Sequence, residues 1–599
     1  MAAQYVLGID LGTTNSVLAY SPIAGERAAV EVLQIPQWTA PGTIESRGTL
    51  PSFVFLAAEH ELQSRQPDVP WANGRDFAVG EWARRQSAEA PDRTVGAAKS
   101  WLCHSRVDRH QALLPWGATD DPAARKISPV DAARHYLEHL IAIWEAAFPD
   151  APVRDQQVIL TVPASFDAAA RELTREAALA AGLPESFVLL EEPQAAIYAW
   201  LDQMGDRWRK SVAVGDQLLV CDVGGGTTDL TLVEVAQEEG DLTLRRVAVG
   251  DHLLVGGDNM DLALAHASAA QFAAKGVKLD PWQSVSLWHS CRAAKETLLS
   301  GDGPAKHTLS VLGRGSKLIA ATVSIELDRD QVSSLLLDGF FPVCQAADRP
   351  ARRRASGFQE IGLPFEADTA ITRHIAGFLQ AHGEPGKPIQ PNQLLLNGGV
   401  FKASALRQRL LETLTSWAPS QSAPQLLAGD HDLDYAVARG AAYYGWTKNR
   451  GGVRIRGGTA RSYYVGIESA GLAIPGAPRP LRALCVVPFG MEEGTEANVP
   501  SAEIGLVVGE PAQFRFFSSA VRKQDQPGTL LKAWTEEELS ETDSLETTLP
   551  AEGLEEETYE PVKFESKVTE LGMFELWCAS TRSDRRWKLE FNVREAVGE

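Results

Sequence analysis

Two strand–turn–strand units, about 210 residues apart, constrain this chain more than any other feature. Tyr5 to Asp10 form an apolar run that turns through Leu11-Gly12-Thr13-Thr14-Asn15 and returns as Ser16 to Tyr20. Gln217 to Asp222 do the same, turning through Val223-Gly224-Gly225-Gly226-Thr227-Thr228 and returning from Asp229 to Val235. Short apolar runs around a glycine-rich turn read as β-hairpins. Their recurrence implies a weak internal duplication, each half presenting an Asp-bearing, Gly/Thr-rich hairpin to a shared cleft.

Phosphate recognition needs backbone N–H groups at close range, and glycine permits that approach while threonine hydroxyls add donors. Gly12, Thr13, Thr14 and Asn15 meet this requirement, as do Gly224, Gly225, Gly226 and Thr227. No G-x-x-x-x-G-K-[ST] stretch occurs, so the chain is not a P-loop protein. Asp10, Asp222 and Asp229 sit at the two hairpins, and Asp10 and Asp222 each end a strongly apolar strand, where a carboxylate is costly without a task. Magnesium favours carboxylates that leave it several waters, so these three are the candidate metal residues. The competing account is that aspartates simply favour turns.

Between the hairpins, Val158 to Val162 read as a strand stopped by Pro163, followed by a helix from about Asp167 to Ala181 that ends at Gly182. Val188 to Leu190 lead into Glu191-Glu192-Pro193 and a further helix, which puts Glu192 at a strand-to-helix junction of the kind that faces clefts in α/β folds. Residues 447–461 hold four glycines and five basic residues and read as a mobile connector and domain boundary. Beyond it, alternating runs such as residues 587–594 predict a small β-domain with one water-facing sheet surface. Within that domain, residues 536–560 carry eleven acidic residues and no lysine or arginine, and read as a disordered loop rather than an acidic docking site.

At 599 residues, one core is too few. A net charge of −21 argues against broad binding to nucleic acid or anionic membranes, and Arg352-Arg353-Arg354 read as a solvated basic loop. Six cysteines without C-x-x-C spacing fit reduced thiols, and no run of about 18 apolar residues occurs. The expected setting is cytoplasmic, without signal peptide or membrane span.

Five separated segments, in order, resemble the seventy-kilodalton heat-shock (DnaK-type) chaperones. They are Gly8 to Ser16; Thr94 to Lys99; Val158 to Arg171, similar to a V-P-A-x-F-x-x-x-x-R pattern; Glu192 to Ala196 with Asp222 to Asp229; and Leu396 to Gly399 with Asp434 to Ala442. The resemblance implies an α/β chain: a two-lobed actin-like ATPase domain over 1–446 (lobes about 1–190 and 191–446), a linker over 447–461, and a mostly-β, sandwich-like peptide-binding domain over 462–599. It implies ATP and Mg²⁺ as ligands, with Lys99, Glu192, Thr227 and Asp10 catalytic. Gly256, Gly257, Lys295, Gly398, Gly399, Lys402 and Asp434 join the two turns in binding nucleotide, and Pro163 and Arg171 relay nucleotide state. Its implied partners are unfolded or extended polypeptide and co-chaperones, with no nucleic acid and no membrane.

The chain departs from that family in three places. Along the adenine-contacting helix the aligned residues are Arg292, Lys295, Glu296 and Leu299, of which only Lys295 is retained; after the glycine pair, Val400 and Lys402 stand in place of Ser and Arg. The connector lacks the usual leucine-rich run, leaving Val453 and Ile455 as its only apolar side chains, which predicts weak docking and weak coupling between domains. No helical segment long enough for the family's lid follows the last strand, so either the lid is absent or the chain is a fragment. Two alternatives stay open: a nucleotide-regulated scaffold for one dedicated partner, and a small-molecule kinase, because Gly-x-Asp-x-Gly-Thr-Thr also opens sugar kinases.

Overall fold

The computed structural model describes residues 3–40, 42–58, 69–71, 74–104, 107–116, 125–238, 241–311, 322–351, 362–384, 386–418, 423–429, 432–450, 455–456, 458–459, 461–469, 480–492, 495–536, 538–542, 545–550, 558–569 and 574–589. Arg352 to Arg354, Val453 and the last ten residues lie outside the described residues. The architecture is mixed α/β, with several sheets.

Both hairpins form where the apolar runs placed them, as Tyr5–Leu11 with Asn15–Pro22 and as Gln217–Val223 with Thr228–Glu238. Each anchors a six-stranded sheet of the same order. In the first, Val188–Glu191 pairs with Gln157–Val162, which runs parallel to Tyr5–Leu11, followed by Asn15–Pro22 and Glu31–Val32; Leu50–Pro51 pairs off this path with Asn15–Pro22. In the second, Gln425–Leu426, Gln393–Asn397, Gln217–Val223, Thr228–Glu238 and Asp241–Val249 follow the same sequence of parallel and antiparallel pairings, with Ile455–Arg456 added at the edge. The registers correspond: Asp10 lies opposite Thr161, and Asp222 opposite Asn397.

The outer face of the first sheet packs against the helices Pro129–Ala147 and Ala168–Ala180, and the second against Gly257–Ala274, Pro281–Leu299 and their neighbours. A third core joins the two sheets. Val6, Ile159 and Leu190 from one side and Leu218, Val220 and Leu395 from the other close over the helices Glu192–Met204 and Ala436–Lys448. These helices cross in near backbone contact: a Cβ at Gly440 would fall 1.8 Å from the carbonyl oxygen of Ala195, a space only glycine leaves open.

The C-terminal part holds two five-stranded sheets, one built on Ser462–Glu468 and Leu481–Val487, the other on Thr558–Val568 and Phe574–Ser580. Val465, Val486 and Phe516 pack against Val562, Phe564 and Leu576 to form the core between them. The first sheet is also covered on its other face, where Tyr464, Cys485, Phe517 and Leu539 form a second cluster. The second sheet keeps the expected alternation, with Trp587 and Leu589 buried and Arg586 exposed, whereas the first is packed on both faces.

Two expectations change. In the acidic stretch, Ser540–Glu541 and Leu545–Thr548 are strands and Thr558 opens another, because cross-strand pairing supplies partners that local composition does not reveal; residues 537, 543–544 and 551–557 lie outside the described residues. In the connector, Ile455–Arg456 is a strand running parallel to Asp241–Val249. Ile455 is buried in the third core, and its N–H donates to Tyr198 Oη at 3.0 Å. One branched apolar residue at an open sheet edge therefore docks despite the surrounding glycines, since the edge supplies backbone partners. The preceding helix runs to Lys448, past the expected boundary at 446.

All six cysteines are free, and among the described residues no helix is long and apolar enough to cross a membrane.

Candidate functional site

The two hairpins meet tip to tip. A Cβ at Gly225 would lie 2.1 Å from Thr14 Cγ2, so the turns approach only because residue 225 has no side chain. A Cβ at Gly226 would lie 2.9 Å from Thr13 Cγ2. Beneath them opens a cavity of about 550 Å³, a size suited to a small-molecule ligand. Of the residues expected from sequence, Asp10, Gly12, Thr13, Thr14, Asn15, Lys99, Glu192, Asp222, Gly224, Gly225, Thr227, Asp229, Gly257, Lys295, Gly398, Gly399, Lys402 and Asp434 line it.

Gly226, Gly256, Pro163 and Arg171 do not line the cavity. Gly256 acts at one remove, since the N–H groups of Gly257 and Asp258, its successors, donate to the carbonyls of Gly224 and Gly225 at 3.0 and 2.6 Å and tie the helix start to the second turn. Arg171 binds Glu191, the residue before Glu192, at 2.8 Å. The other oxygen of Glu191 pairs with Arg246, whose fully buried guanidinium also donates to the carbonyl of Gly458 in the connector.

Lys99, on the short helix Ala98–Leu102, forms a buried ion pair with Glu192, the first residue of its helix. Against burial, which lowers it, the carboxylates of Glu192 and Asp10 hold the lysine above its ordinary value. Glu192 is pushed up to about 8, by burial above all; Lys99 opposes the shift, while Asp10, Asp222 and Asp229 add to it. Burial also raises Asp10, and pushes Asp222 up to about 7 although Asn397 Nδ2 donates to it at 2.7 Å. Asp10 receives the equivalent bond from Thr161 Oγ1 at 3.2 Å. Asp229 is the exception: against burial, His252 and Ser165 keep it below its ordinary value.

Four carboxylates thus face one lysine in a closed setting, an imbalance that a divalent cation would relieve. Among the described residues no three His, Cys, Asp or Glu side chains converge tightly enough to ligate an ion directly. A cation that keeps its own waters, as magnesium does, needs no such direct convergence.

Because burial keeps protons on Glu192 and Asp222 that the unfolded chain loses, these two groups make folding less favourable as pH rises between about 4 and 8. If the cleft takes a magnesium–nucleotide complex, its binding in that window should expel roughly one to two protons. Calorimetry at pH 6.5 in two buffers of different ionisation enthalpy should give different apparent heats, and the difference should fade by pH 9; equal heats at pH 6.5 would rule out the coupling.

At the far end of the cavity the charges are paired internally. Arg292 binds Asp258 and Asp261, and Lys295 binds Asp261 at 2.6 Å and the Gly257 carbonyl at 3.1 Å. Lys402 pairs with Asp434 at 2.6 Å on the rim. Sequence reading passed over Thr161, Asn397, Asp258 and Asp261. The matching positions of Thr161 and Asn397, each on the strand beside an aspartate-ended one, are the signal that could have found the first two.

The fold and site define a mixed α/β protein in which two sheets of like topology close a carboxylate-rich cleft with paired glycine-threonine turns. The family profile described as Hsp70 protein matches residues 67–352. The chain is 25% identical over 423 residues to the chaperone protein DnaK of Stenotrophomonas maltophilia, covering 67% of this chain and 59% of that protein. It is 27% identical over 417 residues to the chaperone protein HscA homolog of Acinetobacter baumannii, and 30% over 413 residues to that of Bordetella petrii, covering 67% of this chain and 58% of each. The chain belongs to the Hsp70 family. It spans less than two thirds of the length of these relatives.

Proposed function

We propose that this chain binds and hydrolyses ATP in the cleft between two actin-like lobes, and uses the nucleotide state to govern how its β-domain holds extended polypeptide. The contact between the two hairpins carries this reading, because it brings two sets of backbone donors and the Lys99–Glu192 pair onto one cavity. Membership of a family of chaperone-like ATPases supports it.

In this reading Gly12 to Asn15 and Gly224 to Thr227 cradle the phosphates, and Lys99 balances charge at the terminal one. Asp10, Asp222 and Asp229 would hold the waters of Mg²⁺, which when bound neutralises phosphate charge. Thr227 and Glu192 orient the attacking water, and Glu192, once nucleotide binding has expelled its own proton, can accept one from that water. Gly257, Lys295, Gly398, Gly399, Lys402 and Asp434 flank the nucleoside. Pro163 and Arg171, with Glu191 and Arg246, lead from Glu192 to the connector. Extended polypeptide, with co-chaperones, is the proposed partner of the β-domain.

Steady-state ATPase assays with unfolded peptide and with candidate sugars test this. ATP turnover that responds to peptide and ignores sugars is expected; phosphorylated sugar would mark a kinase instead, and turnover blind to peptide would mark a scaffold. Because Arg292 is held by Asp258 and Asp261 rather than free to meet a base, discrimination between ATP and GTP should be no more than about tenfold in a competition titration. Exclusion of GTP by a much larger factor would show that the altered pocket still reads adenine.

A further inference from the structure

The third cleft carboxylate is held differently from its two counterparts. Asp10 and Asp222 each receive one side-chain hydrogen bond, from Thr161 and Asn397. Asp229 meets two side chains, both on Oδ1. Ser165 Oγ donates to that oxygen, and His252 Nδ1 lies 3.4 Å from it and 2.8 Å from Ser165 Oγ. Three elements supply the cluster: the strand Thr228–Glu238, the turn between Gln157–Val162 and Ala168–Ala180, and the segment after Asp241–Val249. Phe166 packs edge-on against the His252 ring, at 5.7 Å and 79°. Ser165 and His252 do not line the cavity, whereas Asp229 does.

A carboxylate turns easily about its terminal torsion, which is broad and two-fold. Donors gathered on one oxygen fix that turn and leave the other, Oδ2, without a hydrogen bond among the described residues. Ser165 occupies the unspecified position of the V-P-A-x-F segment, so the sequence pattern did not call for it.

We propose that Ser165 and His252 are positioning residues that lock Asp229 with Oδ1 turned inward and Oδ2 presented to the hydrated cation and its phosphates. The proposal rests on the reading that Asp229 serves Mg-nucleotide binding. Groups that orient metal-binding residues commonly alter metal affinity by about 10- to 100-fold when removed.

The test uses the full chain and a fluorescent ADP, titrated with MgCl₂. Ser165→Ala and His252→Ala should each raise the Mg²⁺ concentration for half-maximal nucleotide binding by about 10-fold while leaving Mg-free nucleotide binding unchanged. Ser165→Thr, which keeps the hydroxyl, should return it to within about 3-fold of the parent. Asp229→Asn is the control and should shift the titration at least as far as Ser165→Ala. If Asp229→Asn shifts it and Ser165→Ala does not, the positioning role is overturned while the site stands. If Ser165→Thr fails to rescue, the hydrogen bond is not the cause and the proposal falls. If Asp229→Asn titrates like the parent, the assignment of Asp229 to the cation falls first and the proposal with it.

Discussion

Replacing Lys99 with alanine will slow ATP hydrolysis by roughly 10²-fold or more, and Thr227→Ala will do the same, while nucleotide binding largely survives. Each substitution removes a group that lines the cavity: in the proposed mechanism, the ammonium that would balance charge at the terminal phosphate, or the hydroxyl that would orient water. Little of the cost should fall on folding. Removing one partner of a buried ion pair is usually severe, but Glu192, raised to about 8 by burial above all, keeps its proton at neutral pH and is not left as an unpaired buried charge. Single-turnover hydrolysis alongside a binding titration separates the steps. Parent-like turnover in both variants would refute the placement of the chemistry at this end of the cleft.

The second large effect concerns the connector. Ile455→Asp should release it, because the substitution removes a buried branched side chain and sets a carboxylate in the apolar cluster shared with Tyr198, Val235 and Leu244. Loss of the burial alone costs about 2–3 kcal/mol, and the buried charge adds more. A shift of that size moves a docking equilibrium by at least about 100-fold. Tryptic cleavage within residues 447–461 should accelerate about tenfold or more, whereas Ile455→Val should stay within about twofold of the parent. The response of ATPase to peptide should fall together with docking, since Tyr198 lies on the helix that begins at Glu192. Unchanged cleavage in Ile455→Asp would mean that the strand pairing of Ile455–Arg456 does not hold the connector.

That second expectation reverses what composition alone favoured. Four glycines and five basic residues predicted a connector that docks only weakly, yet docking needs only one well-shaped side chain and an open edge. Nothing near residue 455 reveals that Asp241–Val249 leaves such an edge beside it, about 210 residues earlier in the chain.

The chain's local text determined the two hairpins, the carboxylates that end their strands, the strand-to-helix junction at Glu192 and the glycines of the turns. Each of these is written in a few consecutive residues, where apolar runs, turn chemistry and the cost of an idle carboxylate act together. The partners of those residues were decided only by the tertiary structure. Thr161 reaches Asp10 across 151 positions, Asn397 reaches Asp222 across 175, Ser165 reaches Asp229 across 64, and Arg246 reaches Gly458 across 212. No period or spacing in one sequence encodes such pairs, because they arise from parallel strand registers and from the packing of two sheets around shared helices. The same packing set the electrostatics: burial together in one cleft, not the residue types themselves, raises Glu192 and Asp222, while the Ser165–His252 pair keeps Asp229 low.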